Sequence, residues 1–260
     1  MPNQPRTPSA ECPQYSIVIP AYNEDARIES SLKKIINFIA LRNWDAEVIV
    51  VNDGSTDGTA EIVDEYARQN PRIRMVMNPG NHGKGYSVRN GMLHATGKLM
   101  LFSDADLSSP IEEAAKLFDA IAQGADVAIG SRWLQAKLQT QRQPLYRQLF
   151  GRVFNRLLRT MLALPFKDTQ CGFKAFTRVA AQAIFPLQQI EGWGFDPEVL
   201  FLARRFGFKI VEVPVAWAHR EGTRINPLMD GPKMLLEMVT VWWHALSGKY
   251  PTRGADRPND

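Results

Sequence analysis

The sequence predicts an α/β fold, a doubly wound and mostly parallel sheet with flanking helices, on three observations. Short β-branched apolar runs alternate with stretches of helical period, the pattern of successive βαβ units. Polar groups fit for chemistry stand just past the end of one predicted strand after another: Glu24, Asp53, Asp104 with Asp106, and Ser131 with Arg132. Open α/β sheets bind ligands outside the carboxyl ends of their strands, so these residues are expected along one edge. The second half then changes character, with two amphipathic helical stretches.

The elements follow in order. Tyr15–Pro20 is an apolar strand closed by proline, and Ala21–Glu24 a loop. A helix from Asp25 to about Leu41 carries Ile28, Leu32, Ile35, Ile36 and Ile39 on one face. Glu47–Val51 is the second strand. The turn Asn52–Asp57 supplies Ser, Thr and Asp to cap a helix reaching about Arg68. Ile73–Met77 is a strand, and Asn78–Gly85 a Gly-rich loop holding Lys84, with a helix behind it to about Ala95. Leu99–Phe102 is a buried strand running into Asp104 and Asp106. A helix over 111–122 and a strand over 126–130 complete the first half.

In the second half, Leu145, Leu149, Val153, Leu157 and Met161 recur at helical spacing, thickened by Phe150, Phe154, Leu158 and Leu162, with Arg152, Arg156 and Arg159 on the other face. This is either a helix packed on the core with a solvated Arg face or one lying against anionic head groups. The same question attaches to 232–246, where Leu235, Met238, Val239, Trp242 and Leu246 face one way and Pro232 fits the first helical turn. Between them, Asp196 and Glu198 open a helix to Phe206, and Asp196 also fits an N-cap before Pro197. Ile210–Val215 is the last strand. The loop His219–Arg224 reads as a phosphate clamp or lid, or as a plain polar connection.

Length and composition narrow the class. With 260 residues, 45% hydrophobic content and a net charge of +4, the chain reads as an ordinary globule, and bulk charge implies no nucleic-acid partner. Cys12 and Cys171 make no disulfide framework and no metal-ligand spacing, which fits a reducing compartment. The Pro-rich start reads as no signal peptide, and no apolar run is long enough to span a bilayer. Residues 1–14 and 251–260 are expected to be loose tails.

Asp104 and Asp106, two carboxylates at one strand end, need a cation or a basic partner. Their hard oxygens suit Mg²⁺ or Mn²⁺, ions that bridge protein carboxylates to a diphosphate. The bland alternative is a strand-end turn with Asp106 capping the helix after Pro110.

Ile17–Glu24, Val50–Asp57 and Asp104-Ala-Asp106, in this order and spacing, resemble family 2 glycosyltransferases with the GT-A (nucleotide-diphospho-sugar transferase) fold. The resemblance spans about Tyr15 to Tyr250. Gly83–Leu93, Asp168–Lys174 and Phe195–Leu200 are similar to the dolichyl-phosphate β-glucosyltransferases among the polyprenyl-phosphate enzymes. It implies one GT-A domain over 15–250, with a nucleotide-sugar half (15–132) and an acceptor half (133–250). It implies a hexosyltransferase that moves glucose from UDP-glucose to a polyprenyl phosphate, working peripherally at the cytoplasmic face of a membrane. Pro20, Tyr22, Glu24 and Asp53 would line the nucleoside pocket, and Lys84 would approach the nucleotide. Asp104, Ala105 and Asp106 would hold the nucleotide, with the two aspartates on the metal. Arg132 would meet phosphate. Thr223-Arg224 stands where relatives carry Ser-Lys in a mobile loop. Ala218 stands where mannose-using relatives carry Arg, with Arg220 the nearest substitute. GDP-mannose as donor, or a soluble hydroxyl acceptor, are the alternatives. A hydroxyl acceptor needs a carboxylate base, for which Asp196 is the candidate.

Overall fold

The computed structural model describes residues 12–135, 139–141, 153, 155–218 and 227–251. Strand β1 (Tyr15–Ala21) leads into α1 (Asp25–Arg42), and β2 (Ala46–Asn52) into α2 (Thr59–Gln69). Then come β3 (Ile73–Met77), α3 (Lys84–His94) and β4 (Leu99–Ser103). A 3₁₀ turn at Ile111–Glu113 runs into α4 (Ala114–Ala122), followed by β5 (Val127–Ser131) and the short β6 (Gln139–Gln141). A helical stretch over 155–161 is α5. The chain ends with β7 (Phe173–Thr177), α6 (Arg178–Ile184), α7 (Phe195–Arg205), β8 (Ile210–Pro214), β9 (Trp217–Ala218) and α8 (Pro227–Leu246).

Seven strands make one sheet in the order β3-β2-β1-β4-β7-β5-β8, and β6 pairs with β9 separately. All neighbours in the large sheet are parallel except β7, which runs antiparallel between β4 and β5. The strands of the first half are near-continuous apolar runs because both faces are covered. On one face Ile28, Leu32 and Ile35 of α1 pack with Ile17, Ile19 and Leu117. On the other, Val88 and Met92 of α3 join residues of α5, α6, α7 and α8. The parallel strands send their carboxyl ends to one edge, as expected.

Four features depart from the sequence reading. β7 is a central strand although Lys174 sits in its middle, a residue that argues against a buried strand. α6 follows it. The cap residue of α2 is Gly58, and Asp57 reaches past it to accept from the Thr59 N–H at 3.0 Å. α8 starts at Pro227, so Pro232 is internal. Pro227 holds the first-turn place where a missing N–H costs nothing, and at Pro232 the helix runs on without that hydrogen bond. Among the described residues no helix is long and apolar enough to cross a membrane.

In each of the two amphipathic helices part of the expected apolar face is buried and part is exposed. In α5 the buried residues are Asn155, Leu158 and Leu162 just past its end, while Val153 and Leu157 are exposed. Residues 145–152 lie outside the described residues. In α8, Met234, Met238 and Val241 are buried, and Leu236, Val239, Trp242, Trp243 and Leu246 are exposed.

Candidate active site

Two loops at the edge are stitched together first. After β1, the Asn23 side chain accepts from the Thr56 N–H at 2.8 Å, and the Glu24 N–H donates to Thr59 Oγ1 at 2.7 Å. Pro20 is the last residue but one of β1 and Tyr22 follows the strand, so the two expected pocket residues sit beside this seam. The buried Asp53 carboxylate, just past β2, accepts from Asn78 Nδ2 at 2.6 Å and from the His82 and Gly83 N–H groups at 3.1 and 2.8 Å. Asp53 thus fastens the Gly-rich loop. Gly83 needs to be glycine there, with φ at +107° and the Glu191 carbonyl where a Cβ would lie.

That fastening places Lys84, the first residue of α3, directly against Asp104 in an ion pair. The ammonium also lies 5.4 Å from the Trp193 ring centroid and 5.8 Å from that of Phe195. Burial works against its charge, but Asp104, Asp196 and Asp106 outweigh that and hold Lys84 above its ordinary range. Asp104 rests on Gly172, where a Cβ would stand 2.6 Å from Oδ1. Asp106 Oδ1 accepts from the Ser108 N–H at 2.8 Å. It caps no helix, because the 3₁₀ turn at 111–113 has no side-chain cap. Between the two aspartates, the Ala105 carbonyl accepts from Ser31 Oγ at 2.6 Å, tying the turn to α1. Leu107 takes a left-handed φ of +47°, an uncommon conformation for an apolar residue, and its burial holds it there.

Arg132 follows β5. Its backbone N–H, Nε and Nη2 reach the buried Asp168 at 3.0, 2.7 and 2.8 Å. The guanidinium also lies 5.6 Å from the Trp217 ring centroid. Burial resists the carboxylate of Asp168, and Arg132 outweighs it, so the group sits below its ordinary range. Asp196 is no N-cap, since α7 is capped by Gly194. Its side chain pairs with Lys174, which is fully buried and also donates to the Cys171 carbonyl at 2.7 Å. Burial raises the Asp196 carboxyl, with Lys174 and Lys84 pulling the other way.

Asp104, Asp106, Lys84 and Asp196 therefore come together in one charged cluster. Arg132 stands at the end of β5, and Arg220 and Arg224 lie outside the described residues. Sequence reading missed Arg27, which pairs with Glu24. Burial lowers its charge preference, but Glu24, then Asp106 and Asp104, raise it. Arg27 is the residue after Asp25-Ala26 in a helix start, and only the fold turns it toward the aspartates. It also missed Asp168 and Lys174 as the fixed counter-ions of Arg132 and Asp196.

A family profile described as Glycosyl transferase family 2 matches residues 16–185. A dolichyl-phosphate beta-glucosyltransferase of Trichomonas vaginalis is 37% identical over 257 residues, covering 94% of this chain and 75% of that protein. The proteins of that name from Saccharomyces cerevisiae and Homo sapiens are 35% and 30% identical, each over at least 90% of this chain and 76% of their own length. Glucosyl-3-phosphoglycerate synthase from Mycobacterium tuberculosis, solved with Mn²⁺, UDP and glucosyl-3-phosphoglycerate, matches with a TM-score of 0.65 at 21% identity, over 94% of this chain and 82% of that one. The shared fold is GT-A.

Proposed function

The chain belongs to glycosyltransferase family 2, and on that footing we propose that it moves glucose from UDP-glucose, with inversion, onto a polyprenyl phosphate. The observation that carries this reading is the cluster at the end of β4: Asp104 and Asp106 flanked by the cations Lys84 and Arg27. The names of the relatives supply the sugar and the lipid class.

Among the described residues no three or more His, Cys, Asp and Glu side chains form a metal cage. The hard oxygens of the two carboxylates fit a Mg²⁺ or Mn²⁺ ion. Asp104 and Asp106 would hold it, and when bound it would supply positive charge to offset the charge that develops on the departing diphosphate. Lys84 already sits against Asp104, so its ammonium is within reach of the same diphosphate. Asp53 keeps the Lys84 loop in place, and Trp193 and Phe195 shield the ammonium from water.

A phosphomonoester with a second pKa of about 6 is ionised at neutral pH and needs no general base. Asp196 fits that acceptor, because its carboxylate is committed to buried Lys174 rather than presented to a hydroxyl. Its role is to hold Lys174 and, with it, the floor under Lys84.

The exposed stripe of α8 supports peripheral attachment at the cytoplasmic face of a membrane. Leu236, Val239, Trp243 and Leu246 fall on one side at helical spacing, with Trp242 beside them. Contiguous exposed apolar side chains of this size mark an interaction surface, and Trp suits a membrane interface.

The test offers labelled UDP-glucose and GDP-mannose separately, with polyprenyl phosphate in detergent and Mg²⁺ or Mn²⁺, alongside Asp106→Ala. Label is expected in the lipid from UDP-glucose alone and absent with the variant. Transfer from GDP-mannose instead overturns the donor assignment.

A further inference from the structure

Beside the donor edge lies a cavity of about 590 Å³ that the transfer chemistry leaves unused. Its size falls within the roughly 300–1,000 Å³ of small-ligand clefts. Arg156, Arg159 and Lys167 line it with Trp133, Asn155 and Thr160, and among the described residues no acidic side chain does. Its floor is built. Buried Asn155 donates to the Lys167 carbonyl at 2.6 Å and accepts from the Thr169 hydroxyl at 2.7 Å, clamping α5 onto 167–169. Arg159 Nε is turned toward the Leu164 carbonyl at 3.4 Å. Three cations around one cleft repel each other, so the cleft favours an anion. A phosphate offers the multiple acceptor oxygens that two arginines and a lysine can fill.

A second, independent observation says what the phosphate is attached to. Around α5, the cationic positions 156 and 159 are followed by Thr160 and then by Val153 and Leu157, which are 62% and 43% exposed. An anion pocket bordered by exposed aliphatic side chains matches an amphiphile, with its charge in the cleft and its acyl chain along the helix. α5 and α8 also pack into the same hydrophobic cluster, through Leu158 and Leu162 and through Met238 and Val241. They cover the same face of the sheet.

We infer that this cavity binds the phosphate of an anionic phospholipid head group, giving the protein a preference for anionic membranes. The cavity adjoins Arg132, whose guanidinium lies 5.8 Å from the Trp133 ring centroid, but its lining residues are not those of the Asp104–Asp106 cluster, and the inference stands whichever sugar and acceptor are used.

The experiment measures binding to phosphatidylcholine vesicles with and without about one third phosphatidylglycerol. It compares wild type, the cavity variant R156Q/R159Q/K167Q, and a control with three exposed lysines removed elsewhere, K34Q/K98Q/K209Q. Thermal unfolding confirms that each variant is folded. The cavity variant is expected to lose about 30-fold or more in affinity for the anionic vesicles, and nothing on neutral ones. The control is expected to lose less than about threefold. Equal losses in both variants, which mean diffuse charge, overturn the site, and so does no loss in the cavity variant. Glycerol 3-phosphate serves as the soluble probe. If it binds the cavity as tightly as the vesicles do and displaces them, the lipid source is overturned in favour of a soluble phosphate ester.

Discussion

The edge at the end of β4 and the surface formed by α5 and α8 treat charge and apolar area in opposite ways. At the edge, each of four cations has an internal partner: Lys84 on Asp104, Arg27 on Glu24, Arg132 on Asp168, Lys174 on Asp196. On α8, Trp242 and Trp243 are 52% and 63% exposed, and on α5 two arginines line an open cleft. A small, highly charged donor is best met by groups already held in position, because fixed dipoles and charges need no reorganisation as charge develops. A partner that stays outside the protein is met by a surface left uncovered. The same chain therefore keeps one region compensated and the other exposed.

The largest effect is expected at the compensated edge. Asp106→Ala removes a carboxylate that nothing replaces, and transfer activity is expected to fall about a thousandfold or more with little change in melting temperature. Steady-state kinetics and thermal unfolding check the two halves of that statement.

Asp168→Asn breaks a buried pair from one side and takes away the carboxylate that faces Arg132, which costs about 3 kcal/mol or more of stability. Burial favours the neutral acid of Asp168 and Arg132 outweighs it, so the folded carboxyl titrates below its ordinary range. The pair's contribution is therefore complete above roughly pH 4 and is lost as pH falls through the lower, folded value. Urea unfolding at a series of acidic pH values is expected to show this loss in wild type and a flatter profile in the variant.

Gly172→Ala sharpens the comparison without touching a charge. Its Cβ would stand 2.6 Å from Asp104 Oδ1, so the carboxylate must shift. A drop in kcat of about 100-fold is expected from the misplacement, with a stability cost of about 1–3 kcal/mol. Wild-type activity in this variant would show that Asp104 tolerates movement.

The smallest effect is expected at the exposed region. Trp242→Ala with Trp243→Ala should weaken vesicle binding about tenfold through lost apolar contact. Activity on a detergent-solubilised acceptor should hold, and stability should change by about 0.5 kcal/mol or less.

How much of this was legible in the sequence follows the same division. The parallel framework and the strand-end acids showed because period and strand-end chemistry are local signals. Lys174 hid a central strand, since its countercharge Asp196 lies 22 residues away. The Arg132–Asp168 pair did not show, because Asp168, 36 residues on, is brought to Arg132 only by the fold. The apolar stripes of α5 and α8 were visible, but which part of each is buried depends on what the sheet presents: Leu158 and Met238 are buried while their neighbours Leu157 and Val239 are exposed.

The measurement that goes straight to the chemistry is the nature of the bond formed. The lipid product made from UDP-glucose is isolated, its anomeric configuration and phosphorus coupling are read by NMR, and its stability in mild acid is followed. A β-linked glucosyl phosphate that releases glucose in mild acid is expected, because the committed Asp196 leaves the site to an acceptor that is already ionised. An acid-stable glycoside on a hydroxyl contradicts this, and assigns the acceptor chemistry to a general base.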